Sequence, residues 1–216
     1  IDKNVPGKKI NILKKSINCK KKVLYFFNAS EKNKNQTVVD SIIKILFKYN
    51  FGRNDCVVSL GGGITGDVSG FAASIYKRGI KFINLPSTLL AQVDSSIGGK
   101  TGINNRFGKN MIGSFYQPDL VVSDTSLLKS LPRREIICGY GEILKHALIS
   151  NPNNFKFINI NKKNILNLNS PFIEKAIIDS CKIKKYVVEN DENEKNYRKV
   201  LNFGHTFAHA FEATKG

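Results

Sequence analysis

Between Leu60 and Asn110 the chain gathers Gly61-Gly62-Gly63, Gly66-Asp67, Arg78-Gly79, Asp94, Gly98-Gly99-Lys100 and Gly108-Lys109-Asn110. Glycines let backbone N–H groups approach a phosphate closely, and the interspersed charges suit a small polyanionic ligand. Further on, Glu142 and Lys145 share one helical face at i, i+3, with His146 adjacent at i+4; a surface ion pair would also explain them. Asn202, His205, His209 and Glu212 then repeat at i+3, i+4, i+3 on one stripe. His205-x-x-x-His209 is a helical zinc spacing that Glu142 could complete, the alternative being hydrogen-bonded core histidines. Lys184 lies in an otherwise apolar stripe of Ile173, Ile177, Cys181 and Val188. Such a lysine either snorkels to water or points into a cleft and holds an anion.

These residues need elements to position them. Val23 to Phe27 reads as a buried strand, Thr37 to Tyr49 as an amphipathic helix and Asp55 to Leu60 as a second strand. Strand, helix, strand implies a parallel sheet. The glycine trio follows the second strand, and a helix is expected from Gly66 toward Tyr76, with further strands at Phe82 to Leu85 and Leu120 to Ser123. That order would set the glycines against a dinucleotide pyrophosphate at a helix N-terminus, with Asp67 on a ribose hydroxyl or a water. The trio is not G-x-G-x-x-G, so a plain turn also accounts for it. From about Leu131 strand signals vanish, and Arg134 to Ile149, Phe172 to Val188 and Leu201 to Ala213 read as helices. The asparagine-rich stretch Asn151 to Ser170 reads as a loop. The expected architecture is a Rossmann-like α/β domain over 1–130 followed by an α-helical domain over 131–216.

The 216 residues are 41% hydrophobic and carry a net charge of +17, with a lysine-rich tract from Lys8 to Lys22. Nucleic acid is not expected, because no aromatic-interleaved recognition motif accompanies the charge; an acidic small substrate uses it better. Cys19, Cys56, Cys138 and Cys181 form no C-x-x-C pair, which points to a reducing cytoplasm. No apolar run approaches the roughly 20 residues of a membrane span. The chain starts at Ile1 without methionine and stops at Gly216, so both ends of a longer protein are expected to be missing.

The segments GGGITGDVSGFAASIYKRG, LPSTLLAQVDSSIGGKTGIN, GKNMIGSFYQP, GEILKHALI and LNFGHTFAHAFE resemble the 3-dehydroquinate synthases, a likeness running from about Glu31 to Gly216. The resemblance implies an NAD-binding α/β domain packed on a helical domain, truncated here, and a divalent metal, usually zinc with cobalt as an alternative. The implied reaction converts a seven-carbon phosphorylated keto acid to 3-dehydroquinate and phosphate in the shikimate pathway. It implies Glu142 and His205 as metal ligands and places His209 on the substrate instead, correcting the pairing that spacing suggests. The family's remaining metal histidine falls in an H-G-E segment beyond Gly216, so the fragment alone is expected to be inactive. Asp94 would face substrate ring and nicotinamide. Lys100, Asn110, Lys145, Lys184, Arg198 and Asn202 would contact substrate, and Glu194 would handle a proton. Arg78 would reach the phosphate of a second subunit in a homodimer. Glu31, Lys34, Gly62, Gly63, Asp67, Ser87, Thr88 and Lys109, together with Asp94 and Lys100, would contact NAD. Ser87, Gly141 and Ala208 stand where the family usually has threonine, alanine and glycine, and Cys138 where it can have asparagine. The rival readings are a related sugar phosphate cyclase, whose substrate lacks the carboxylate that Lys184 and Arg198 suit, and a basic binding module without activity.

Overall fold

A computed structural model gives the fold, and it describes residues 1–204, 207, 210 and 211. Helix α1 (Gly7–Ser16) and α2 (Gln36–Lys48) precede strand β1 (Cys56–Gly61), helix α3 (Gly63–Ile75) and strand β2 (Lys81–Pro86). A hairpin, β3 (Lys100–Asn105) and β4 (Gly108–Phe115), comes next, then the short strand β5 (Leu120–Val121). The second half is helical: α4 (Arg133–Ser150), α5 (Pro152–Ile160), α6 (Lys162–Leu166) and α7 (Phe172–Asn190), closed by a 3-10 turn at Tyr197–Asn202. No helix among the described residues is long and apolar enough to cross a membrane.

The expected parallel sheet is present, with order β1-β2-β5. Its central connection is α3, which buries Thr65, Gly66 and every residue from Val68 to Ala73. A helix buried almost all round must be wrapped, and α2 covers it on one side with Val39, Ile42 and Leu46 while Phe82 and Ile103 pack on the others. Asn35 caps α2, its side-chain oxygen accepting from the Val38 N–H at 3.2 Å. The antiparallel hairpin was not anticipated from sequence. Its glycines explain why: Gly102 and Gly113 sit in register, where a Cβ on either would collide with the facing backbone, so the strand-favouring residues that signal a strand cannot be used there.

Two sequence expectations are corrected. Val23 to Phe27 is extended but not a strand of the sheet. Its hydrogen bonds go to the N-terminal residues, with the Phe27 N–H donating to the Ile1 carbonyl at 3.1 Å, and only Phe27 is buried. Asn151 to Ser170 is not a loop. Asn151 caps α5 by accepting from the Asn154 N–H at 3.0 Å, Pro152 occupies the first turn, and Ile158 and Ile165 enter the helical core. Burial of those isoleucines outweighs the poor helix propensity of asparagine. Of the helix expected over Leu201 to Ala213, the start is the 3-10 turn, and Thr206, Ala208, Glu212 and Ala213 lie outside the described residues.

Two glycines of α4 make opposite predictions. A Cβ on Gly139 would stand 2.6 Å from Leu89 Cβ and 2.7 Å from the Leu90 nitrogen, whereas one on Gly141 meets nothing within 4 Å. Gly139→Ala should cost about 1–3 kcal/mol by overpacking. Gly141→Ala should gain about 0.5–1 kcal/mol by restricting the unfolded chain. Urea denaturation of both variants measures this, and equal effects of one sign would refute it.

Candidate active site

A cleft of about 680 Å³ opens between the hairpin and the helical half. It is lined by Asp67, Asp94, Lys100, Asn110, Lys145, Lys184, Glu194, Arg198 and Asn202 of the sequence-selected residues, along with others such as Ser95, Met111 and Phe115. Asp94 stands in a π-helical turn over Ala91–Ser95, a widened turn that often marks functional sites. The turn is anchored underneath by Gln92, whose side-chain N–H groups reach the carbonyls of Pro86 and Asp124 at 3.1 Å each.

Lys184 answers the question its stripe posed. Ile173, Ile177 and Val188 are buried beside it, and its ammonium turns inward, donating to the Asp94 carbonyl at 2.5 Å and to Asp94 Oδ1 at 2.7 Å. Burial works against both charges. In Asp94 it is overcome by Lys184, then Lys145 and His146, so the carboxyl ends below the ordinary range. In Lys184 burial prevails over the attraction of Asp94, and its pKa is lowered. Glu142 and Lys145 form an ion pair one helical turn apart on α4.

A second knot lies at the hairpin side. Lys34, buried, donates to Asp67 Oδ2 and Asn110 Oδ1, both at 2.5 Å. Burial raises the Asp67 pKa despite Lys34. Gly62 and Gly63 open α3 next to Asp67, with no side chain capping the helix. A Cβ on Gly62 would stand 3.2 Å from Thr88, and on Gly63 2.9 Å from Ser95 Oγ. Glycine thus keeps a cradle at a helix N-terminus open, which suits a pyrophosphate, and Asp67 nearby suits a ribose hydroxyl.

The third group closes the cleft. Glu194 pairs with Lys100 and accepts from Asn202 at 3.4 Å, and although burial opposes it, Lys100 holds its carboxyl below the usual value. Arg198 is fully enclosed, donating to the Glu192 carbonyl at 2.6 Å and the Gly98 carbonyl at 3.0 Å, with its guanidinium over the Phe115 ring. Gly98 and Gly99 both take positive φ, at 97° and 65°, and a Cβ on Gly98 would strike the Arg198 guanidinium. Sequence reading missed Gln117, which binds Glu192 at 3.0 Å across the same junction; a lone glutamine carries no spacing signal.

Not every selected residue reaches the cleft. Glu31 binds the Asn104 side chain at 2.8 Å, Ser87 is buried and donates its N–H to the Gly61 carbonyl at 2.8 Å, and Thr88 lies behind Gly62. Lys109 and Arg78 are exposed away from its lining. His205 and His209 lie outside the described residues. Among the described residues, Glu142 stands with Asp94 and His146, ligand atoms of all three falling within 4.8 Å of one another. Two carboxylates and an imidazole are a donor set that a zinc-like ion accepts.

Two family models cover most of the chain: 3-dehydroquinate synthase N-terminal over residues 24–138 and 3-dehydroquinate synthase C-terminal over 139–216. The chain belongs to the 3-dehydroquinate synthase family. It is 63% identical over 214 residues to the 3-dehydroquinate synthase of Pelagibacter ubique, matching 99% of this chain and 58% of that relative. The chain spans about half the length of the curated relatives it matches. A 2-deoxy-scyllo-inosose synthase solved with carbaglucose-6-phosphate, NAD+ and Co2+ superposes with a TM-score of 0.86 at 30% identity, over 98% of this chain and 58% of that one. A 2-epi-5-epi-valiolone synthase from Streptomyces hygroscopicus, with NAD+ and Zn2+ bound, gives 0.79 at 26% identity, over 84% and 51%. The α/β sheet followed by a helical half is thus the truncated dehydroquinate synthase-like fold expected from the sequence.

The Asp94–Lys184 contact can be tested by a double-mutant cycle. Lys184→Met should cost about 1.5–3 kcal/mol of stability, since it strands the Asp94 carboxylate without its Lys184 partner and leaves the Asp94 carbonyl without its donor. Adding Asp94→Asn should recover part of that loss in chemical denaturation. Strictly additive losses would show that the two side chains are not coupled.

Proposed function

We propose that the chain is the catalytic core of a 3-dehydroquinate synthase, converting 3-deoxy-D-arabino-heptulosonate 7-phosphate to 3-dehydroquinate and phosphate. The observation that carries this reading is the set of cations, Lys100, Lys145, Lys184 and Arg198, around Asp94 in one cleft. A substrate bearing both a carboxylate and a phosphate needs such a set. The 63% identity to a 3-dehydroquinate synthase, against 30% to the inosose synthase, favours this substrate over the carboxylate-free ones.

In this reading NAD lies along the Gly62–Gly63 cradle, with Asp67, steadied by Lys34, on a ribose hydroxyl. Glu142 would hold the metal with His205 and a histidine of the longer parent. When bound, NAD accepts and returns a hydride while the metal ion polarises the hydroxyl being oxidised. The chain's own residues do the rest. Lys184 keeps Asp94 ionised and oriented against the ring, and Lys145 pairs with Glu142. Asn110, bound by Lys34, and Asn202, bound to Glu194, present amides to substrate oxygens. Arrival of the substrate's anion gives Lys100 a new partner and frees Glu194 to take and return a proton during elimination and ring closure. His209 is assigned to the substrate.

A homodimer accompanies this reading. Arg78 is exposed away from its own cleft, and β4 exposes Ile112 outside the cleft lining. Both suit a second copy whose cleft Arg78 completes. A reducing cytoplasm is in keeping with four free thiols.

The test uses a chain extended to the full length of its relatives, supplied with catalytic NAD and zinc, assaying phosphate and product together. Dehydroquinate should form, and Lys184→Ala should lower kcat/KM roughly 10- to 150-fold, the equivalent of a charged contact of about 1.5–3 kcal/mol. Formation of 2-deoxy-scyllo-inosose from glucose 6-phosphate, with no dehydroquinate, would refute the assignment.

A further inference from the structure

His146 has no role in the reading above, although it is completely buried beside Asp94 and Glu142. Its Nδ1 lies 2.6 Å from Ser180 Oγ on α7. Its Nε2, also buried, has no hydrogen-bond partner among the described residues. A buried imidazole nitrogen without a partner forfeits roughly 1–3 kcal/mol, so a structural role alone does not explain this arrangement. What surrounds it does. A ring nitrogen of His146 comes within 4.8 Å of carboxylate oxygens of both Asp94 and Glu142, and Nδ1 is already engaged.

The tautomer follows from charge. The Ser180 hydroxyl can donate to Nδ1 or accept from it. If Nδ1 carried the proton, Nε2 would be a buried lone pair on a ring that lies among two carboxylates, where a further acceptor is disfavoured. If the hydroxyl donates, Nε2 carries the proton and the ring offers a donor in that acceptor-rich surrounding. Lys184 occupies Asp94 Oδ1, leaving Oδ2 for another donor. Full ionisation of the imidazole is opposed by burial and by Lys145 and Lys184, and the pKa falls to about 4.

We propose that His146 is a positioning residue: Ser180 O–H donates to Nδ1, and Nε2–H holds Asp94 Oδ2 when ligands fill the cleft. Asp94 is then clamped between Lys184 and His146, which fixes the face it turns to the substrate ring. This inference rests on the proposed reaction for its kinetic consequence but not for its geometry, and the experiment separates the two.

Nitrogen-15 NMR of the imidazoles in the 216-residue chain at neutral pH reads the tautomer directly. His146 should be neutral with the proton on Nε2, and Ser180→Ala should shift the balance toward Nδ1. Proton on Nδ1 in the unaltered chain would overturn the proposal, whatever the reaction proves to be. In the extended enzyme, His146→Gln keeps an amide near the Nε2 position, whereas His146→Asn keeps one near Nδ1. The glutamine variant should retain kcat within about threefold. The asparagine variant should lose roughly 10- to 100-fold, the usual size of a supporting-shell effect, mainly in kcat with KM little changed. Equal activity of the two, or better rescue by asparagine, would reduce His146 to a packing residue. An extended enzyme that makes no dehydroquinate would sink the proposed function while leaving the tautomer result to decide this one.

Discussion

The contact on which the site depends is the buried ammonium of Lys184 against Asp94. A lysine that is 6% exposed cannot keep its charge without a partner, and an unpaired ammonium in that position costs several kcal/mol. The requirement fixes much else. Helix α7 must bring Lys184 to the π-helical turn, the turn must present both its carbonyl and the Asp94 side chain, and α4 must come close enough for Lys145 and His146 to share the same field. The apolar stripe of Ile173, Ile177 and Val188 drives α7 into the helical core and delivers the lysine as a by-product of burying its neighbours.

Across the junction between the α/β half and the helices, polar contacts take over from apolar packing. Arg198 reaches the Gly98 carbonyl, Gln117 reaches Glu192, and Lys100 reaches Glu194. Each joins the Gly98–Gln117 region to the segment after α7. That segment is itself organised by Asp191, whose carboxylate accepts from the N–H groups of Lys195, Asn196 and Arg198. The wall of the cleft is therefore a loop tied at both ends, while its floor is the rigid helical core.

Sequence carried the periodic elements well. The parallel strands β1 and β2 and helices α2, α3, α4 and α7 announce themselves in the sequence, and apolar spacing singled out Lys184 while leaving open whether it turns outward or inward. What stayed hidden had physical reasons. The β3–β4 hairpin is built on glycines that permit close backbone approach instead of on β-branched residues, and α5 and α6 are held by two isoleucines against the preference of their asparagines. Most of the selected charged residues converge on the cleft, but spacing along one helix could not pair Glu142 with Asp94, which lies on another element 48 positions earlier. Nor could it reveal Ser180 as the partner of His146. Contacts between distant segments leave no periodic trace.

The internal pairing of charges in the cleft separates attraction from selection. Asp67, Asp94, Glu142 and Glu194 already neutralise Lys34, Lys184, Lys145 and Lys100, so that among these described residues only Arg198, itself turned to carbonyls, stands in excess. The cleft is nearly neutral inside a molecule of net charge +17. An incoming anion is thus drawn by the diffuse field of the whole surface, which dissolved salt screens over about 10 Å, and then admitted by exchanging partners with carboxylates that salt reaches poorly. Ionic strength should accordingly govern how fast anions arrive far more than which anion stays.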